Sequence, residues 1–212
     1  MRDLVERPWL IKICGVTTLG DADLVVEAGA DALGVLLTAS PRRVSRERAG
    51  EIVHHVRGRL VRVGVVRGDD DVDVDDLELD ALQVHGPLSE ELASSCRERG
   101  LAVVKALSIG SAEFAAFDDA HVSAILVDGA RPGSGEEHGW SALGERSFRQ
   151  PVIAAGGLRA DNVAAVVSAW PVWGVDVASG VESSPGVKDP RRVADFVRAA
   201  RAAFEAREGP HS

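Results

Sequence analysis

An apolar strand-like run, a turn and an amphipathic helix-like stretch follow one another eight times along the 212 residues. The strand-like segments are 9–14, 32–37, 60–66, 81–85, 102–107, 121–128, 152–156 and 174–178. Most are near-continuous runs of Val, Ile and Leu, the pattern of strands covered on both faces. Helix-like segments fall between them at 21–28, 45–56, 89–99, 111–118, 141–147, 161–170 and 189–206, with a weaker acidic stretch at 71–80 that reads as one turn or a loop. Ser45 and Ser89 stand where N-caps belong, Gly29 and Gly100 where helices stop, and Pro190 in the first turn of the last helix. Strands and helices in strict alternation predict an α/β fold, a single-domain (β/α)8 barrel over residues 1–212. The rival is an open doubly wound sheet, which would usually place a dinucleotide-type glycine loop after its first strand. The loop here, Gly15-Val-Thr-Thr-Leu-Gly20, lacks that spacing.

A net charge of −9 argues against nucleic acid or an anionic membrane surface as a partner by bulk attraction. The longest apolar runs fall far short of the ~20 residues of a spanning helix. Met1–Trp9 carries four charges and no apolar core, so no signal peptide is expected. Two cysteines, Cys14 and Cys96, give no disulfide framework and suggest a reduced, cytoplasmic setting. Cys96, mid-helix beside Ser94 and Ser95, reads as structural.

Chemistry is expected first at Trp9-Leu-Ile-Lys-Ile-Cys-Gly15. Alternation along a strand puts Leu10, Lys12 and Cys14 on one face and Ile11 and Ile13 on the other. Cys14 is the last side chain before Gly15, at the carboxyl end, where barrels carry their sites. The other polar residues at carboxyl ends are Arg42 and Arg43 after strand two, Gln83 and His85 on strand four, and Asp128 on strand six. Gly156 and Gly157 end strand seven, and Asp176 with Ser179 and Gly180 end strand eight. Glycine-rich loops after strands seven and eight suit phosphate, because backbone N–H groups can close on an anion there. The expected ligand is therefore a small phosphorylated molecule. Lys12 lies one layer below Cys14 and Asp176 on a strand adjacent once the barrel closes, so the two are expected to pair, since an unpaired buried lysine is costly.

Lys12-Ile-Cys-Gly15, Ser40-Pro-Arg-Arg-Val-Ser45, Gln83-Val-His-Gly86, Leu126-Val-Asp128, Gly133-Ser-Gly135 with Trp140, Ala155-Gly-Gly-Leu158, and Asp176-Val-Ala-Ser-Gly-Val-Glu182 through Pro185-Gly-Val-Lys-Asp189 run in this order along nearly the whole chain. Together they resemble the phosphoribosylanthranilate isomerase family of tryptophan biosynthesis. The resemblance implies an Amadori rearrangement of a phosphorylated aminosugar, with no cofactor and no metal, by a monomer or homodimer. It makes Cys14 the general base, Asp128 the general acid, and Arg42 the holder of the anthranilate carboxylate. Gly157, Ser179 and Gly180 become the phosphate cradle, and His85, Gly156 and Asp176 complete the set expected to touch substrate. A related aminoaldose-phosphate isomerase of a specialised pathway, or a non-catalytic phosphosugar binder, would share these motifs.

Two further expectations concern the site's surroundings. A nearby cation, Lys12, is expected to lower the pKa of Cys14. The family's phenylalanines on strands two and three are replaced, in Gly34-Val-Leu-Leu37 and Val63-Gly-Val-Val66. Val35, Leu37 and Val66 are thus expected to wall the aromatic-ring pocket, and Val66→Phe to lower KM.

Overall fold

The computed structural model describes residues 7–68, 74–129 and 146–208. Eight parallel strands close into a barrel in chain order: β1 (Leu10–Cys14), β2 (Ala32–Leu36), β3 (Val61–Arg67), β4 (Ala81–His85), β5 (Ala102–Ser108), β6 (Ala124–Asp128), β7 (Val152–Ala155) and β8 (Gly174–Val177), with β8 pairing back onto β1. This is the expected α/β barrel rather than the open sheet. The helices are α1 (Leu19–Glu27), α2 (Arg46–His55), α3 (Glu90–Glu98), α4 (Ala112–Ala116), α5 (Val163–Ala169) and α6 (Pro190–Glu208). After β8 a short hairpin, β9 (Glu182–Ser184) and β10 (Val187–Lys188), precedes α6.

Local chemistry sets these boundaries. Ser45, Ser89 and Ser111 each accept the backbone N–H three residues on, at 3.2, 3.1 and 2.9 Å, and Thr18 does so for Asp21 at 3.0 Å. Each satisfies a donor that a helix start leaves open. Gly29 and Gly100 follow α1 and α3 with φ of 76° and 71°, the left-handed turn that ends a helix.

Strand alternation divides the interior in two. Leu10, Val61, Val63, Val104, Leu126 and Ile153 fill the lumen with small residues between them, while Ile11, Ile13, Val35, Val66, Val103 and Ile125 pack outward against the helices. Lys105 belongs to the outer set. It is fully buried, and its Nζ lies 2.8 Å from Glu113 Oε1 on α4 and 2.7 Å from the Ala106 carbonyl.

One segment differs from the sequence reading. The sixth strand starts at Ala124, because Asp118 caps a 3-10 turn over Asp119–His121 and breaks the extended run. Residues 74–80 form a loop, one of the two alternatives expected for the acidic stretch, with Val74, Leu77 and Leu79 tucked into the core. In the 141–147 segment, residues 141–145 lie outside the described residues, as do Asp69–Asp73, Gly133–Gly135 and Trp140; Arg146 and Ser147 are in no regular element. Among the described residues, no helix is long and apolar enough to cross a membrane.

Candidate active site

The carboxyl ends of the strands surround a cavity of about 360 Å3. All but one of the residues expected at the rim line it: Cys14, Arg42, Gln83, His85, Asp128, Gly156, Gly157, Asp176, Ser179 and Gly180. Arg43 does not; it points to solvent. Cys96 is buried in α3, away from the cavity.

One wall of the cavity is a stack on β1. Lys12 Nζ donates to Asp176 Oδ1 at 2.9 Å, both groups buried, and the two residues are direct partners across the β1–β8 ladder. Closure of the barrel therefore produces the expected pair. Room for the stack comes from β2. A Cβ on Gly34 would lie 2.9 Å from Cys14 Sγ and 3.2 Å from Lys12 Nζ, so any side chain there would displace the thiol or the end of the lysine.

Cys14 departs from expectation. Its thiol is pushed up, not down, because burial in the barrel mouth outweighs the opposing pull of Lys12. The Asp176 carboxylate adds to the upward push, because its own negative charge disfavours a thiolate nearby. Lys12 stays charged: burial works against its ammonium, but Asp176 and then Cys14 hold it above its ordinary value.

Opposite, Gln83 Nε2 lies 2.9 Å from His85 Nε2. The amide donates, so the imidazole is neutral with its proton on Nδ1. Burial and then Lys12 lower the His85 pKa, which agrees with that state. Gln83 Oε1 is buried and has no protein partner among the described residues. Asp128 ends β6, in register with Ser108 of β5 and Ala155 of β7. From β6 the barrel order reaches β1 through β7 and β8, so Cys14 and Asp128 face the cavity from well-separated strands.

The glycine loops lock together. Gly156 and Gly157 have φ of 87° and 67°, and Asn162 braces the turn by donating to the Gly157 carbonyl at 3.0 Å and accepting from Arg159 N at 2.7 Å. A Cβ on Gly180 would fall 1.9 Å from the Leu158 carbonyl oxygen. The two loops touch backbone to backbone, which no side chain at position 180 allows. Gly180→Ala is therefore expected to cost about 1–3 kcal/mol, as overpacking does, and to loosen anion binding between the loops. Thermal melts with and without inorganic phosphate check this: the variant should melt lower and gain less from phosphate.

Arg42 is held by residues whose part the sequence reading did not foresee. Its Nε and Nη2 donate to Glu182 Oε1 and Oε2, both at 2.7 Å. The hydrogen bonds raise the arginine's pKa, and together with Lys188 they overcome burial to lower that of Glu182. Lys188 Nζ donates to Glu182 Oε1 at 2.9 Å, the Cys14 carbonyl at 2.6 Å and the Ala178 carbonyl at 3.2 Å. The signal was present in the spacing from Glu182 through Pro185-Gly186 to Lys188, a hairpin whose turn glycine has φ of 83°.

The ring-pocket expectation is corrected. Val35, Leu37 and Val66 belong to the outer layer beneath the helices, whereas Leu36, Val65 and Leu126 line the cavity. On β3 the lumen face carries Val61, Val63 and Val65, so Val66 has the opposite parity. Val66→Phe would crowd the packed layer rather than reach the cavity, so it is not expected to lower KM. Among the described residues no cluster of three or more His, Cys, Asp or Glu is placed to hold a metal ion.

A closed parallel barrel whose ionisable side chains gather at its carboxyl rim has the architecture of the barrel enzymes. The family described as N-(5'phosphoribosyl)anthranilate (PRA) isomerase matches residues 11–199. Relatives named N-(5'-phosphoribosyl)anthranilate isomerase include one from Desulforudis audaxviator, 37% identical, with 92% of this chain and 99% of the relative covered. Another, from Rhodopseudomonas palustris, is 39% identical at 92% and 99% coverage. Among solved structures, the phosphoribosyl anthranilate isomerase from Thermotoga maritima has a TM-score of 0.81 at 33% identity, covering 92% of this chain and 99% of that one. A phosphoribosyl anthranilate isomerase in complex with reduced 1-(o-carboxyphenylamino)-1-deoxyribulose 5-phosphate has a TM-score of 0.79 at 32% identity and the same coverage. The chain belongs to the N-(5'-phosphoribosyl)anthranilate isomerase family.

Proposed function

We infer that the chain catalyses the Amadori rearrangement of N-(5-phosphoribosyl)anthranilate to 1-(2-carboxyphenylamino)-1-deoxyribulose 5-phosphate, with Cys14 as general base and Asp128 as general acid. The observation that carries this reading is the entry of these two side chains into one cavity from separated strands. A ribose seated between them can be protonated on one side and deprotonated on the other. Asp128 gives a proton to the ring oxygen, the C1–O bond breaks, and the nitrogen lone pair forms the C1=N bond of a protonated Schiff base. Cys14, as thiolate, takes the C2 proton, and the electron pair left behind becomes a C1=C2 double bond while the C1=N pair returns to nitrogen. The resulting enaminol gains a proton at C1 and loses one from the C2 hydroxyl, which gives the aminoketose.

The phosphate rests against the backbone of Gly157, Ser179 and Gly180, with Gly156 shaping the turn. Gln83 Oε1 and His85 are the polar groups offered to the sugar, and Arg42 takes the anthranilate carboxylate. The ring meets aliphatic walls at Leu36, Val65 and Leu126.

The direct test is to add the protein to freshly made phosphoribosylanthranilate and follow the decay of its fluorescence. Turnover by the wild type is the expected result. No turnover would move the chain to another aminoaldose phosphate or to a binding role. Arg42→Ala is expected to raise KM about tenfold or more, the scale of a lost charge-assisted contact, with a smaller change in kcat. An unchanged KM in steady-state kinetics would place the carboxylate elsewhere.

A further inference from the structure

A guanidinium has two edges that can grip a carboxylate with paired N–H donors: Nε with Nη2 at its side, and Nη1 with Nη2 at its end. In Arg42 the side edge is fully engaged by Glu182. The end edge meets no hydrogen-bond or ion-pair partner among the described residues, and Arg42 lines the cavity. An arginine free to rotate would spend its fork on either edge; this one has only its end to offer.

Its placement is enforced from several directions. Glu182 is buried, and its carboxylate also receives Lys188. Its backbone carbonyl accepts from Arg192 of α6, so the acid cannot follow the arginine outward. Gly15, with φ of 75°, lies under the arginine stem, where a Cβ would come within 2.4 Å of Arg42 Cδ. Lys188 meanwhile spends two of its donors on the carbonyls of Cys14 and Ala178, one at the end of β1 and one just past β8. Arg42 and Lys188 share the one carboxylate of Glu182, so these three side chains keep one net positive charge, the complement of a single carboxylate.

We propose that Glu182 is a positioning residue for substrate selection: it holds Arg42 side-on so that the end edge presents to the ring carboxylate, and Lys188 ties that arrangement to the strand bearing Cys14. The inference rests on the isomerase reading and deepens it. The ligand feature selected is a carboxylate on the amine substituent, at a fixed distance from C2.

The experiment is a double-mutant cycle in steady-state kinetics with phosphoribosylanthranilate, using wild type, Glu182→Gln, Arg42→Ala and the double variant, each with a thermal melt. Glu182→Gln is expected to raise KM about tenfold, the scale of one lost charge-assisted hydrogen bond, with kcat falling by less than KM rises. In the Arg42→Ala background the same change should leave KM where it is, because Glu182 acts only through Arg42. Glu182→Asp, one methylene shorter, should show the same pattern at smaller amplitude and serves if Glu182→Gln does not fold. Wild-type KM in Glu182→Gln, or an equal KM rise in both backgrounds, overturns the proposal while leaving the isomerase reading intact. Absent turnover by the wild type overturns that reading instead.

Discussion

Cys14→Ala and Asp128→Asn are each expected to lower kcat by roughly 10²–10⁴-fold, the usual contribution of a placed acid or base, while a product analogue still binds. The pH dependence separates the two. A base must be deprotonated to act, and burial holds the free enzyme's Cys14 thiol above its ordinary pKa. The acidic limb of kcat/KM, which reports the free enzyme, should therefore lie at or above the range of an ordinary thiol, and activity should climb with pH through it. Cys14→Asp is expected to keep part of the activity and to move that limb to lower pH, since a carboxylate ionises earlier. Near-wild-type turnover by Cys14→Ala would assign the base to another group.

The second large effect is on stability. Lys12→Met leaves Asp176 as a buried carboxylate without its partner, a change expected to cost about 3–5 kcal/mol. For a chain of this size that lowers Tm on the order of 10 °C. Because the pair raises the Lys12 pKa, its contribution is fully present below the unfolded lysine's pKa and is lost only as pH rises through the higher folded value. It is thus constant across neutral pH. Lys12→Met/Asp176→Leu should recover much of the loss, as apolar replacements of buried ion pairs often do. It should not restore the rate profile, because the lysine is the largest influence lowering the Cys14 pKa, and its acidic limb should move further alkaline. Melts and pH–rate profiles of the single and double variants test both statements, and an undisturbed limb in Lys12→Met would show that the lysine does not act on the thiol.

The barrel was legible in the chain because its information is local. Near-continuous apolar runs report strands covered on two faces, and Ser45, Ser89, Gly29 and Gly100 mark helix ends through hydrogen bonds and φ angles that span three or four residues. The parity of β1 was equally local, so Lys12 and Cys14 could be placed in the lumen, and closure made Asp176 the neighbour of Lys12. Parity on β3 failed by one residue: Val65 and Val66 are both apolar, and a uniform run carries no mark of which side is in. The 3-10 turn before β6 was hidden likewise, since a cap at Asp118 competes with an extended run only once the chain is packed.

Other features depended on residues far apart in sequence. Arg42 and Glu182 are separated by 140 positions. Nothing near either one says that the arginine's side edge is taken, and only the fold brings the hairpin of β9 and β10 against the loop after β2. The protonation of Cys14 was decided the same way. The order of residues places a cation two positions from the thiol; the enclosed mouth of the barrel makes desolvation, which grows with every wall around the sulfur, outweigh it.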